Sequence, residues 1–327
     1  MKKRNVIIDC DPGIDDSLAL MLALSSEELN IIGITIVSGN VHVNKGVKNA
    51  LKVLRLMNRL DIPIYIGEGN PLQRELVVAE DTHGEDGLGE TFIEEVEGGS
   101  VKKGAKNFIL DAVIENKDVS IIALGPLTNL AEALQENPKV FNKIEEIVSM
   151  GGAFKSHGNC SPVAEFNYWV DPHSVRYIMK HSRVPFHMVG LDVTRECVLT
   201  PNYIELLRQF NDEKADFIVE ITRFYVDFHW QQERTLGCVI NDPLAVLYFI
   251  NREVCNGFKA YMDIVTEGIA MGQTIVDSKN FYKKKANCKV LTKVNSKFFM
   301  KEFLKRIFRD KKEDIDLILE NEVYTRI

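Results

Sequence analysis

Six cysteines are present, Cys10, Cys160, Cys197, Cys238, Cys255 and Cys288, and no two of them form a Cys-x-x-Cys pair. That spacing excludes a zinc-ribbon pattern and a disulfide framework, and free thiols fit a reducing cytoplasm, the expected location. Long hydrophobic runs are also missing. The longest, residues 18–24, falls far short of the roughly 20 residues that a membrane span needs, so no membrane partner is expected. Met-Lys-Lys-Arg leads straight into a short apolar strand with no apolar h-region, and no signal peptide is expected. Positive charge is not in excess: 40 Lys and Arg stand against 47 Asp and Glu, for a net charge of -7. This argues against non-specific nucleic-acid binding, which positive charge drives. The one conspicuous basic run, Lys283-Lys284-Lys285, reads as a solvated turn. Internal repeats, low-complexity tracts and Pro/Ser-rich linkers are absent. With 45% hydrophobic residues in 327, the composition supports one large core, and a single domain over 1–327 is expected.

What is there is an alternation. Residues 6–8 are a fully apolar strand of the kind buried in a parallel sheet. Residues 15–25 follow as a helix with carboxylates in its first turn, as the helix dipole favours. Strands are expected at 31–37, 62–66, 119–124, 144–150 and 186–191, and helices at 43–58, 105–115, 127–134 and 173–181. In the helix at 43–58, Val47, Ala50, Leu51, Leu54 and Met57 share one face. Such alternation specifies an α/β fold, Rossmann-like, with a largely parallel central sheet and helices on both faces. The last third is different: 203–232 and 243–250 read as helical, 258–265 and 287–294 as strands, and 296–309 as an amphipathic helix. Two loops after strands, 81–89 and 151–171, are rich in Gly, His, Asn and Asp. Ligand sites in open α/β sheets lie beyond the carboxyl ends of the strands, where such loops sit.

The segment Asp9-Cys10-Asp11-Pro12-Gly13-Ile14-Asp15-Asp16 carries the chemistry. On an extended strand Asp9 and Asp11 project to one face. Pro12-Gly13 forces a turn, and Asp15 and Asp16 open the next helix. One or two of these aspartates could be helix caps. Four carboxylates at one strand-to-helix junction repel one another unless a cation sits among them, and hard oxygen ligands suit calcium or magnesium.

This run resembles the N-terminal signature of the inosine-uridine-preferring nucleoside hydrolases. The likeness extends in order along the chain to Val37-Ser38-Gly39-Asn40, His83-Gly84-Glu85-Asp86-Gly87, Leu124-Gly125-Pro126-Leu127-Thr128-Asn129, Met150-Gly151-Gly152, Ala164-Glu165-Phe166-Asn167 with Asp171-Pro172, and Asn241-Asp242-Pro243. The resemblance implies a nucleoside hydrolase fold and hydrolysis of a ribonucleoside to ribose and free base. It implies a calcium ion held by Asp11, Asp16, Asp242 and the backbone carbonyl of Leu124, with Asp11 as general base on a calcium-bound water. It places Asp15 and Asn40 on ribose hydroxyls, and Asn159, Glu165 and Asn167 on the remaining sugar hydroxyls, with Asp9 in support. Family members are homodimers or homotetramers, so a homo-oligomer is expected by resemblance, with a small nucleoside as the other partner.

In one position the sequence departs from the family. A histidine that assists the leaving base is replaced here by Asn241, and an amide cannot deliver a proton as an imidazolium can. Either another group supplies the proton, with His83 and His229 as candidates beside the base, or the substrate has a leaving group that needs less activation. The remaining histidines, His42, His157, His173, His181 and His187, read as structural or surface groups. Two other functions stay open. A haloacid-dehalogenase-like magnesium phosphohydrolase also places Asp-x-Asp after a first strand, although Pro12-Gly13 does not fit its usual continuation. A non-catalytic nucleoside- or sugar-binding member of the fold would explain Asn241, but would have no need for Asp11, Asp15, Asp16 and Asp242 together.

Overall fold

A computed structural model describes residues 3–320; the first two residues of the basic N-terminal run, and 321–327 of the span expected as one domain, lie outside the described residues. Ten strands form one sheet: β1 Arg4–Cys10, β2 Leu29–Ile36, β3 Ile64–Ile66, β4 Val101–Lys103, β5 Ser120–Ala123, β6 Ile147–Met150 and β7 Phe186–Val189, then, after the two short strands β8 Val198–Leu199 and β9 Cys238–Val239, which pair only with each other, β10 Cys255–Ile264, β11 Thr274–Asp277 and β12 Cys288–Val294. Their order is β11-β10-β12-β7-β6-β5-β1-β2-β3-β4. Every pairing from β12 to β4 is parallel, and only β10 with its two neighbours is antiparallel. The expected mixed α/β fold with a largely parallel sheet is therefore what the chain adopts.

The strand sequences explain the layering. Side chains alternate across a strand. Val6 and Ile8 of β1 belong to one apolar core, and Ile7 to the other. Ile122 and Ile121 of β5 divide in the same way, as do Val148 and Ile147 of β6. Both faces must be covered. Helices Ile14–Leu24, Val43–Leu56, Glu213–Glu233, Asp242–Ile250 and Ser296–Ile307 cover one face. Helices Ala105–Glu115, Thr128–Glu136 and Pro172–His181 cover the other. The chain runs outward from β1 through β2, β3 and β4, then returns to the far side of β1 with β5. The direction of winding reverses between β1 and β5, and a crevice opens there beyond the carboxyl ends of the strands.

One expectation needed correction, and one strand went unforeseen. The helical stretch read at 203–232 is two helices, Pro201–Arg208 and Glu213–Glu233. Asn211 takes a left-handed φ of 50° between them, and the Asp212 side chain caps the second helix by accepting from the Lys214 amide at 2.8 Å. The edge strand β4 was not legible, because all three of its residues are exposed and none belongs to an apolar pattern. Among the described residues no helix is long and apolar enough to cross a membrane.

Candidate active site

The site is built where β1 ends. The amide of Leu124, just past β5, donates to the Asp9 carbonyl at 2.7 Å, and the Val37 amide, just past β2, donates to the Cys10 carbonyl at 3.0 Å. Three strand ends are thereby fixed around the Asp9–Asp16 segment. Asp16, at the third position of helix Ile14–Leu24, turns back on the junction. Its Oδ1 accepts from the Asp11 amide at 3.1 Å, and its Oδ2 from the Gly13 amide at 3.1 Å and Asn40 Nδ2 at 2.9 Å. A carboxylate in the first helical turn gathering orphan amides is favoured by both hydrogen bonding and the dipole. The Asn40 amide in turn donates to Asp11 Oδ2 at 2.6 Å. Gly39 and Gly125 are needed for the fit. A Cβ on Gly39 would lie 2.1 Å from Asp11 Oδ2, and one on Gly125 2.4 Å from Asp11 Oδ1. Asp9 sits beneath, its Oδ1 accepting from Thr35 Oγ1 at 2.5 Å and Asn129 Nδ2 at 2.8 Å.

From the far end of the chain, helix Asp242–Ile250 begins at this same place. Asp15, Asp16 and Asp242 each direct a carboxylate oxygen to within 4.8 Å of the others, and all three are buried. No Lys or Arg forms an ion pair with these carboxylates or with Asp11 among the described residues. Burial, with the neighbouring carboxylates, pushes Asp16 up to about 6 and holds Asp11 and Asp242 well above the usual carboxylate range. Burial likewise raises Asp9 to about 7, against its bonds from Thr35 and Asn129. Asp9 Oδ2 and Asp11 Oδ1 are buried without a hydrogen-bond partner. A set of oxygen donors that is crowded, buried, unneutralised and partly orphaned fits a hard divalent cation, which would restore the ionised form of each carboxylate.

Above this floor lies a cleft, open on one side to solvent. Asp15, Asn40, His83, Leu124, Asn159, Glu165, Asn167, His229, Asn241 and Asp242 all line it. Asp11 and Asp16 lie just beneath, fully buried. The sequence candidates are thus brought together. Glu165 caps helix Phe166–Val170, accepting from the amides of Asn167, Tyr168 and Gly152 at 2.9, 3.2 and 2.8 Å; burial raises it to about 7 despite those bonds. Asn167 Nδ2 donates to the Leu124 carbonyl at 2.6 Å, so it orients the carbonyl expected to face the cation. Asn159 Oδ1 is engaged by the Phe166 amide at 3.0 Å.

At the rim, His83 ends the short helix Glu80–His83 and packs on the junction, its Nδ1 accepting from the Ile14 amide at 3.1 Å. Gly13 permits this approach, since a Cβ there would meet that nitrogen at 2.7 Å. His229, on helix Glu213–Glu233, bonds through Nδ1 to the Tyr225 carbonyl at 2.8 Å. Burial lowers both imidazoles from their ordinary value. Asn241 Nδ2 donates to Asp15 Oδ2 at 3.0 Å and to the Tyr225 hydroxyl at 3.3 Å, leaving its Oδ1 buried and unpartnered. Sequence reasoning did not pick out Tyr225, Phe228 or Arg195, which also line the cleft. Tyr225 lies four positions and Phe228 one position before His229 on the same helix, and spacing around that histidine was the available signal.

Comparison with known proteins shows the family. The sequence model for "Inosine-uridine preferring nucleoside hydrolase" matches residues 6–301. The pyrimidine-specific ribonucleoside hydrolase RihB of Escherichia coli is 33% identical over 301 residues, covering 91% of this chain and 95% of its own. Among solved structures, a purine-preferring ribonucleoside hydrolase from Gardnerella vaginalis superposes with a TM-score of 0.88 at 32% identity, covering 95% of this chain and all of that one. The plant nucleoside hydrolase PpNRh1 also gives a TM-score of 0.88, at 29% identity over 93% of this chain and 98% of that one.

Proposed function

Because the chain belongs to the inosine-uridine preferring nucleoside hydrolase family, we propose that it hydrolyses the N-glycosidic bond of ribonucleosides to ribose and free base with calcium held by Asp11, Asp16, Asp242 and the Leu124 carbonyl. A divalent cation held there would supply a Lewis acid that lowers the pKa of a bound water. The protein's own groups supply the rest. Asp15 and Asn40 receive the ribose hydroxyls, and Glu165, Asn167 and Asn159 the remaining hydroxyls of the sugar. Asp11 takes a proton from the attacking water; its Oδ1 is buried with no other partner, and its raised affinity for a proton suits a base. Water oxygen bonds to the anomeric carbon as the bond to the base nitrogen breaks. The sugar passes through an oxocarbenium-like state, which the surrounding carboxylates stabilise.

The observation that carries this reading is the meeting of Asp242 with Asp15 and Asp16, from opposite ends of the chain, under a cleft lined by the candidate sugar-binding residues. The phosphohydrolase alternative finds no support here, since Asp9, the first carboxylate of its Asp-x-Asp pair, is fully buried and bonded beneath the cleft and does not line it. All six cysteines are free thiols, which supports a cytoplasmic setting. A homodimer or homotetramer is the assembly expected by resemblance. The deciding experiment is a panel of purine and pyrimidine nucleosides incubated with calcium or with a chelator, read as ribose and free base. We expect release with calcium and none with chelator. Purified protein that frees no ribose from any nucleoside, with metal supplied, ends the reading and leaves the binding protein.

A further inference from the structure

The two relatives' printed preferences, pyrimidine for one and purine for the other, leave the base end of this cleft to be read from its own residues. Of the polar groups that line the cleft, His83, His229 and Asn241 are the ones the family comparison brings to the leaving base. Their hydrogen bonds fix where each can hold a proton. A backbone N–H only donates, so His83 Nδ1, which receives the Ile14 amide at 3.1 Å, must be the bare nitrogen of a neutral ring with its proton on Nε2. A second proton on that ring would set N–H against N–H and break the bond. A backbone carbonyl only accepts, so His229 Nδ1, 2.8 Å from the Tyr225 carbonyl, must carry the proton. That bond survives whether Nε2 is bare or protonated. Neither Nε2 has a hydrogen-bond partner among the described residues. Asn241 Nδ2 is committed to the Asp15 carboxylate at 3.0 Å, so the group it leaves unpartnered is its Oδ1, an acceptor with no proton to give. The Tyr225 hydroxyl approaches Asp15 Oδ2 at 3.4 Å, and burial raises its pKa well above the ordinary phenol value, away from acid duty.

We propose that His229 is the acid that protonates the leaving base, and that His83 is a permanently neutral donor that orients the base but does not transfer a proton. This deepens the nucleosidase reading and rests on it. In the step, Nε2–H of the His229 imidazolium passes its proton to a ring nitrogen or carbonyl oxygen of the base as the glycosidic electron pair moves onto the base. The ring is left neutral with Nδ1–H still bound to Tyr225, and solvent returns the proton before the next turnover. His229 takes over the task for which Asn241 is unfit. The charged and titratable groups that act on it are Glu233 on its own helix, Asp15 from helix Ile14–Leu24, Arg195 and His83. Glu233 and Asp15 favour the imidazolium, whereas Arg195 and burial oppose it.

The test compares His229→Gln and His83→Gln with the wild type, with calcium present, on inosine, uridine and 4-nitrophenyl riboside. Nitrophenolate departs as an anion and needs no proton. We expect His229→Gln to lose about 10²–10⁴-fold in kcat on both nucleosides while nitrophenyl riboside turnover stays within a few-fold. The limb of the wild-type kcat profile that falls with rising pH should vanish in His229→Gln and persist in His83→Gln. In the substrate-free protein, nitrogen-15 shifts should report the Nε2–H tautomer for His83 and Nδ1–H for His229. Nucleoside turnover unchanged in His229→Gln, or equal losses on all three substrates, overturns the assignment, as does an Nε2–H tautomer at His229. Wild-type protein that cleaves none of the three sinks the nucleosidase reading itself, which is a separate failure.

Discussion

The floor of the cleft and its rim differ in what holds them. Asp11, Asp15 and Asp16 come from one strand-to-helix junction, and the Asp11, Gly13 and Asn40 amides around them each donate to a carboxylate of the cluster. The rim takes His83 from a four-residue helix and His229 from a 21-residue helix far along the chain, each fixed by a single ring-to-backbone bond. The floor crowds like charges that only a cation reconciles; the rim carries two imidazoles whose Nδ1 protonation is set by the backbone. One should therefore govern whether hydrolysis happens at all, and the other which base leaves and at what pH.

The sharpest way to break that division is Asp11→Ala. We expect loss of hydrolysis of at least about 10³-fold, on nucleosides and on 4-nitrophenyl riboside alike, because the water-activating base goes. The fold should survive, with the melting temperature within a few degrees, since the change removes a buried carboxylate from a repulsive cluster. Retention of most activity would exclude Asp11 as the base and move the chemistry away from the floor. Gly125→Ala should follow, at about 10²-fold, because the new methyl would sit 2.4 Å from Asp11 Oδ1 and 3.0 Å from Val37 Cγ1 and must displace that carboxylate. The same change at Gly69, whose Cβ would meet nothing nearer than Val43 Cγ1 at 3.9 Å, is the control for a glycine substitution as such.

The floor was legible in the sequence because its residues are neighbours on it. Four aspartates in eight positions, after an apolar strand, carry their own argument. Asp242 was reachable only through the ordered family motifs, because nothing in a sequence says that residues 16 and 242 meet. The rim was less legible for a physical reason. Which nitrogen of an imidazole holds the proton depends on a backbone group 4 positions away for His229 and 69 away for His83. The sequence could nominate both histidines and could not rank them. In the fold, the parallel core was readable from β-rich apolar runs, whereas β4 is held by backbone pairing to β3 alone and left no pattern.

A difference in pH response should separate the regions next. Asp9 and Glu165 stand at about 7 and Asp16 at about 6 in the folded, cation-free protein, against roughly 4 when unfolded. The folded state then binds more protons between those values, so its stability is full below about pH 4 and is lost as pH rises through about 6 to 7. Calcium binds the ionised floor and the folded state only, so it should raise the melting temperature more as pH increases from about 5 to about 7.5. Scans with chelator and with calcium at each pH isolate this contribution, because groups outside the site cancel in the difference. A calcium-induced shift that is constant or shrinks with pH would mean that the floor does not hold its protons in the absence of metal.

The smallest effect expected is at the rim, where Arg195 ties helix Glu213–Glu233 to the loop before Glu165. Arg195 Nη1 meets Glu233 Oε1 at 2.6 Å, and Nη2 donates to the Gly158 carbonyl at 3.0 Å. The two side chains of the pair keep 20% and 25% of their exposure, so water screens them. Such a pair is worth about 0.2–1 kcal/mol, which is at most about five-fold in an equilibrium constant. Arg195→Met should thus raise KM for nucleosides by about two- to five-fold through a looser cleft wall. It should leave the calcium affinity as it was, because no carboxylate of the floor touches it, and it should move the falling limb of the kcat profile to higher pH, because Arg195 opposes the His229 imidazolium. Steady-state kinetics beside a calcium titration check both halves at once. A collapse of kcat in this variant would show that the rim sets the geometry of the floor, and the two regions would then have to be understood as one.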